Sequence, residues 1–167
     1  MNFETAFEIL IGHEGGYTDN PKDPGNWTGG KQGAGVLKGT KFGIAANTYP
    51  DEDIKNLTVP RAKYLYLRDF WNKLSLDKLP ECVRFDLFDA AVNSGVQQSA
   101  KFLQRAAGVV DAGVIGPATI AAANKIDPEQ MDSRISGYRL MFLADLKVFP
   151  DFGKGWVRRV ANNLVTD

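Results

Sequence analysis

The sequence predicts an α+β fold that is mainly helical, with one small β region after the first helix. Apolar residues recur at helical spacing through most of the chain, and the glycine-rich stretch 25–43 is the exception. A chain of 167 residues with 44% hydrophobic composition is large and apolar enough to bury a core. We therefore expect a single domain over residues 1–167.

The first helix carries the most informative side chain at its end. Its apolar face is formed by Phe3, Phe7, Leu10 and Ile11. Asn2 or Thr5 can cap its start, and Gly15 or Gly16 is expected to close it just after Glu14. A glutamate in the last turn faces the negative end of the helix dipole, which raises its pKa and favours a proton donor. A surface glutamate before a helix stop is the alternative interpretation.

A turn-rich segment follows the glycines. Residues 19–27 combine two aspartates with an aromatic residue, in a pattern typical of turns. The glycine-rich stretch then contains short apolar pieces at 36–37 and 42–44, which predict a small antiparallel sheet or a long hairpin.

The rest of the chain is predicted to be helical. Successive segments are delimited by start or stop residues, namely Pro60, Gly95, Gly108, Pro117 and Asp127-Pro128, and a final segment surrounds Trp156.

Composition excludes several function classes. Twenty basic residues balance twenty acidic ones, so the charge gives no case for nucleic-acid binding. With only Cys82 and His13, we expect no internal disulfide, no zinc site and no cofactor. An acidic start without a long apolar run predicts synthesis in the cytoplasm without a signal peptide, and no stable membrane insertion. We expect a monomer.

Several ordered motifs together resemble a known family. His13-Glu14-Gly15-Gly16-Tyr17 is followed by Asp23-Pro24-Gly25 and by Thr40-Lys41-Phe42-Gly43-Ile44, with further matching segments at 85–95 and 111–119. This set resembles the N-acetylmuramidases of glycoside hydrolase family 108, which occur as phage endolysins and as secretion-associated muramidases. The resemblance covers nearly the whole chain, and ordered motifs are more specific than any single one.

The resemblance implies a fold, a substrate and a division of the chain. The fold is lysozyme-like, with a cleft between the β region and the helical body and Glu14 at their junction. Residues 1–95 would form the catalytic muramidase region and 96–167 a helical peptidoglycan-binding region, within one domain. The implied activity is cleavage of the β-1,4 bond between N-acetylmuramic acid and N-acetylglucosamine in periplasmic peptidoglycan. A phage-encoded enzyme would need a holin to reach that glycan strand.

The resemblance also assigns candidate catalytic residues. Cleaving a glycosidic bond needs a proton for the leaving oxygen and negative charge beside an oxocarbenium-like centre. Glu14 would donate the proton, and Asp23, at the spacing found in phage-type lysozymes, would supply the charge. Thr40 matches by motif the threonine that orients the attacking water. Thr28 is a rival, because residues 29–39 form an apparent insertion that lengthens the gap.

Three further residues are candidates for binding the glycan. Tyr17 and Trp27 can stack on sugar rings, although both can also fill the edge of a core. Asn93 can reach an acetamido group, although capping its own helix end is a competing role. The acidic run 51–53 is interpreted as the start of a helix rather than as a metal site.

Three alternative functions stay open. One glutamate acting as acid and then as base would make a lytic transglycosylase. A bacterial muramidase that opens the wall for secretion would have the same motifs. A non-catalytic wall-binding module is the alternative of another class, favoured by a basic final segment in which six basic residues face three acidic ones from Arg134 onward.

Overall fold

The computed structural model, which describes residues 1–12 and 16–166, is mainly helical with one small sheet. The described residues form the α-helices α1 (Phe3–Ile11), α2 (Val59–Tyr66), α3 (Glu81–Ser94), α4 (Val96–Ala106), α5 (Pro117–Ala123), α6 (Pro128–Ala144) and α7 (Phe149–Thr166). Short 3₁₀ helices lie at Pro24–Asn26 and Leu76–Lys78, and a π-helical turn lies at Leu67–Trp71. The predicted mainly helical class is confirmed.

The chain divides into two compact units. One comprises Phe7–Leu67, and the other comprises Met1–Ala6 together with Arg68–Asp167. We call them the β-containing unit and the helical unit. The single domain predicted from length, with its regions 1–95 and 96–167, stays a prediction. Among the described residues, no helix is both long and apolar enough to cross a membrane.

Helix α1 ends earlier than the sequence predicted. The side chain of Asn2 caps its start by accepting a hydrogen bond from the Thr5 backbone N–H at 3.0 Å. Gly12 follows the last helical residue with a left-handed φ of 53°, so the expected closure at Gly15 or Gly16 is wrong. A rise in the pKa of Glu14 from the helix dipole requires a helix that extends to that residue, and α1 ends at Ile11. His13, Glu14 and Gly15 lie outside the described residues.

The β-containing unit holds an antiparallel pair of very short strands. β1 (Thr40–Lys41) pairs with β2 (Ile44–Ala45), with Thr40 opposite Ala45. Phe42 and Gly43 connect the strands with positive φ angles of 51° and 73°, as a tight hairpin turn requires. A second reversal is closed by an isolated bridge between Trp27 and Leu37. The predicted β region is confirmed as one tight hairpin and one longer reversal.

The helical unit is built around an aromatic core. Trp71 and Phe88 are fully buried and meet edge to face at a centroid distance of 5.5 Å, and Phe3 packs against both rings. Within this unit α3 packs on α4 and α6, and α6 also packs on α4 and α7. The predicted delimiters are confirmed: Gly95 (φ 91°) separates α3 from α4, Gly108 (φ 69°) follows α4, and the Asp127 side chain caps α6.

A buried charge cluster connects three of these helices. Asp89 on α3 accepts hydrogen bonds from Arg139 on α6 at 2.6 Å and from Nε of Arg159 on α7 at 2.8 Å. The amide of Asn163 on α7 donates to both Asp89 and Asp86, at 3.2 and 2.9 Å. Asp86, Asp89 and Arg139 are at most 2% exposed. This cluster holds α7 to α3 and α6 by charge as well as by apolar contact.

Candidate active site

The site is built first from the turn that carries Asp23. Asp23 is the N-cap of the 3₁₀ helix Pro24–Asn26, and its Oδ1 accepts a hydrogen bond from the Gly25 backbone N–H at 2.8 Å. Pro24 at the first helical position has no N–H to satisfy, which favours this turn. The Asp23 side chain is exposed, so its carboxylate faces solvent while one oxygen fixes its direction.

A fully buried asparagine joins this turn to the sheet. The side chain of Asn26, 0% exposed, donates through Nδ2 to the Asn20 carbonyl at 3.0 Å and accepts from the Thr40 hydroxyl at 2.7 Å. Its backbone carbonyl accepts from the N–H groups of Lys38 and Gly39. Asn26 was missed by the sequence interpretation, because an asparagine inside a turn-forming run has no signal that distinguishes a buried bridge from an ordinary turn residue.

Thr40 is held by hydrogen bonds of both its backbone and its side chain. Its backbone N–H and C=O pair with Thr18 at 2.8 and 3.0 Å, which fixes β1 to the segment that follows the Glu14 motif. Because the hydroxyl donates its hydrogen to Asn26, its oxygen keeps lone pairs that can accept a hydrogen bond from water. The hydroxyl oxygen of Thr28 instead accepts from the Val36 N–H at 2.9 Å within the second reversal. The structure thus links Thr40, and not Thr28, to the Asp23 turn through Asn26.

Tyr17 lies against the same strand. A Cβ added at Gly39 would come within 2.6 Å of the Tyr17 ring, so only glycine allows this close approach. Partial burial raises the pKa of the Tyr17 phenol above its ordinary value, and the charges of Asp19 and Asp53 add to the rise. The phenol therefore stays neutral at physiological pH and able to donate a hydrogen bond.

The other two candidate binding residues have internal partners. The half-buried indole of Trp27 donates to the Pro21 carbonyl at 2.9 Å. Asn93, exposed near the end of α3, donates to the Asp89 carbonyl at 3.1 Å. Trp27 lies in the β-containing unit with Asp23, Thr40 and Tyr17, and Asn93 lies in the helical unit.

The acidic run 51–53 is not at a helix start. These residues lie in a turn, and α2 begins only at Val59, so the helix-terminus interpretation is wrong. In the part of the chain that is described, no group of three or more His, Cys, Asp or Glu side chains is placed to hold a metal ion.

The chain matches the model of one protein family. Residues 7–95 match the family model described as Glycosyl hydrolase 108, which is more than half of the chain. The chain therefore belongs to this family and is a glycoside hydrolase, with peptidoglycan as the substrate class that the family supports.

A solved structure then gives a particular relative. The structure of Brucella abortus SagA is 34% identical in sequence, with a TM-score of 0.82 over 98% of this chain and 92% of that chain. The predicted mainly α, lysozyme-like fold is confirmed. None of the curated proteins compared with the chain matches it.

Proposed function

We propose that this protein is an N-acetylmuramidase that hydrolyses the β-1,4 bond between N-acetylmuramic acid and N-acetylglucosamine. The observation that carries the proposal is the buried Asn26, which ties the Asp23 turn to the Thr40 hydroxyl. Both residues, and Glu14, fall inside the segment matched by the family model.

The proposed mechanism divides the chemistry among three side chains. Glu14 gives its proton to the glycosidic oxygen as the bond from the anomeric carbon to that oxygen breaks. The Asp23 carboxylate supplies negative charge to the oxocarbenium-like centre. A water that donates a hydrogen bond to the Thr40 oxygen adds to the anomeric carbon and gives up one proton to solvent, which leaves a reducing sugar end. Glu14 regains a proton from solvent before the next cycle. Tyr17, Trp27 and Asn93 are proposed to contact the glycan.

The chemistry of the products tests this proposal. Purified protein incubated with sacculi is expected to release fragments with reducing muramic acid ends, identified by mass spectrometry. Anhydromuramic ends would show that the sugar's own hydroxyl replaced water, as in a lytic transglycosylase. Retention on sacculi without any release of fragments would instead identify a wall-binding module.

Removing the Thr40 hydroxyl tests the position of the water. Thr40→Val is expected to lower kcat about 100-fold, a typical effect of losing a positioned group in acid–base chemistry. Thr40→Ser should recover most of the rate because it keeps the oxygen. Asp23→Asn should lower kcat measurably, but by less than the loss of Glu14 does. Thr28→Val is the matched control. A larger loss for Thr28→Val than for Thr40→Val would transfer the role to Thr28.

For the biological setting, we propose a phage endolysin that reaches periplasmic peptidoglycan through a holin. Similarity to a protein of the bacterium Brucella abortus favours a second candidate, a bacterial muramidase that opens the wall for secretion. An adjacent holin gene supports the first setting, and an adjacent secretion operon supports the second.

A further inference from the structure

A cavity of about 300 Å³ lies inside the β-containing unit, with Tyr17 in its wall. That size falls at the lower end of the volumes of small-ligand sites, roughly 300–1,000 Å³. The remaining lining is apolar, cationic and acidic together, and consists of Leu37, Lys38, Asp51, Asp53, Ile54 and Lys55. None of these six has a role in the bond cleavage proposed above.

The cavity lies near the strand that carries Thr40. Its wall residue Tyr17 packs on Gly39, and the next residue, Thr18, pairs with Thr40. Tyr17 also follows Glu14 by only three positions in the chain. A group bound in the cavity would therefore lie beside the Thr40 strand rather than at a remote surface.

Two lysines hold the loop 50–55 that forms one side of the cavity. The ammonium of Lys38 donates to the Pro50 carbonyl at 2.5 Å and reaches the Glu52 carbonyl at 3.5 Å. The ammonium of Lys41 donates to the Lys55 carbonyl at 3.1 Å. Both lysines thus bind backbone oxygens, which fixes the loop to the strand region before any ligand arrives.

Side chains of the loop are fixed in the same way. Glu52 accepts two hydrogen bonds from the Arg61 guanidinium, at 2.6 and 3.1 Å. Asp53 accepts from the amide and backbone N–H of Asn56, at 2.9 and 3.4 Å. A loop that is already ordered loses little conformational entropy when a ligand binds. Ordering this loop would therefore cost little of the binding free energy.

The cavity presents both signs of charge beside an apolar wall. Hydrogen bonds from Asn56 hold the pKa of Asp53 below its ordinary value, with Lys38 and Lys41 contributing, so Asp53 is ionised. Asp51 is exposed and has no hydrogen bond or ion pair with any described residue. Lys55 adds an ammonium, and Ile54, 1% exposed, adds apolar surface. A neutral sugar has no group that requires such a pair of opposite charges, whereas a short peptide with free amino and carboxyl groups does.

We propose that this cavity binds the peptide stem carried by N-acetylmuramic acid, with a stem ammonium facing Asp51 and Asp53 and a stem carboxylate facing Lys55. The proposal rests on the proposed muramidase function, since that substrate bears such stems. In this proposal, the enzyme distinguishes glycan strands that carry peptide stems from strands that do not.

The test measures binding and cleavage separately. Binding is measured by calorimetric titration with a soluble stem tripeptide that has one free side-chain amino group. Cleavage is measured on two kinds of glycan strand, one that carries its peptide stems and one from which an amidase has removed them. Asp51→Asn is expected to weaken tripeptide binding about tenfold, as loss of a charge-assisted hydrogen bond does. The ratio of kcat/KM for stem-bearing over stripped strands should fall by a similar factor. Lys55→Gln should act likewise, and less so on a tripeptide with amidated carboxyl groups.

Controls separate the two proposals. Asp151→Asn, an equivalent exposed change on α7, should leave both the affinity and the ratio at wild-type values. Wild-type affinity in Asp51→Asn, or no binding of the tripeptide by the wild type at millimolar concentration, would overturn the cavity assignment. Failure to cleave either strand while the tripeptide still binds in an Asp51-dependent way would overturn the muramidase proposal and support the cavity.

Discussion

Glu14→Gln is expected to abolish cleavage of peptidoglycan, with a loss in kcat of at least about 10³-fold, because the amide has no proton to give to the leaving oxygen. The shape of the side chain is almost unchanged, so the melting temperature should stay near that of the wild type. Residues on both sides of the motif have defined backbone contacts. Gly12 closes α1 before it, and Thr18 pairs with Thr40 after it.

The measurement is release of reducing ends from sacculi, with melting followed in the same preparations. Glu8→Gln is the matched control, since Glu8 is an exposed glutamate on α1 and the same change there should leave the rate intact. The variant should also stay bound to sacculi if residues 96–167 bind peptidoglycan. Substantial activity in a folded Glu14→Gln protein would remove Glu14 from the mechanism.

The sequence predicted the helical elements better than the sheet. Helix boundaries follow local chemistry, as at Gly95 and at the Asp127 cap, where one residue type satisfies a backbone requirement. The β region depends instead on pairings between residues distant in the chain. The bridge between Thr18 and Thr40 is one such pairing, and no local pattern indicated it.

The error at the first helix has a specific cause. Gly12, Gly15 and Gly16 all lie near the end of one amphipathic pattern, and any of them satisfies the local requirement for a helix stop. Apolar periodicity ends at Ile11, so the first glycine after it was the better prediction.

Sequence motifs identified some residues of the candidate site but not the residue that connects them. Asp23 and Thr40 were named from motif position, and the structure joins them through a residue that carried no signal of its own. Only its complete burial and its hydrogen bond to Thr40 identify Asn26 as part of the candidate site. The roles of Glu14, Asp23 and Thr40 stay predictions that the variants above test, and the glycan contacts of Tyr17, Trp27 and Asn93 stay predictions.

The buried charge cluster predicts a second large effect, on stability. Asp89 is the shared acceptor for Arg139 and Arg159, and Arg139 is only 2% exposed. Burial alone would raise the pKa of Asp89, but hydrogen bonds from Arg159 and the charge of Arg139 outweigh burial and hold that pKa below its ordinary value. Asp89→Asn should lower the free energy of unfolding by about 3–5 kcal/mol, because it leaves a buried guanidinium without its carboxylate.

Asp86, one turn earlier on α3, should behave in the opposite way. Burial raises the pKa of Asp86 to about 7; the Asn163 hydrogen bond opposes that rise, and the neighbouring Asp132 carboxyl adds to it. The folded protein therefore keeps a proton that the unfolded chain loses near pH 4. Since the folded state binds more protons in this range, stability falls as pH rises from about 4 to about 7.

Asp86→Asn removes this dependence, because the amide imitates the protonated acid and does not titrate. At pH 5 its free energy of unfolding should already exceed that of the wild type by about 1–2 kcal/mol, and at pH 8 by about 4 kcal/mol, from about 1.4 kcal/mol per pKa unit. Urea unfolding of both variants at the two pH values measures this. Equal destabilisation by Asp86→Asn and Asp89→Asn at pH 8 would contradict the assignment, since it would mean that both carboxyl groups are ionised partners of the arginines. A gain at Asp86 with a loss at Asp89 would show that one helix turn carries a neutral acid, which accepts from Asn163, and an ionised acid, which pairs with the two arginines.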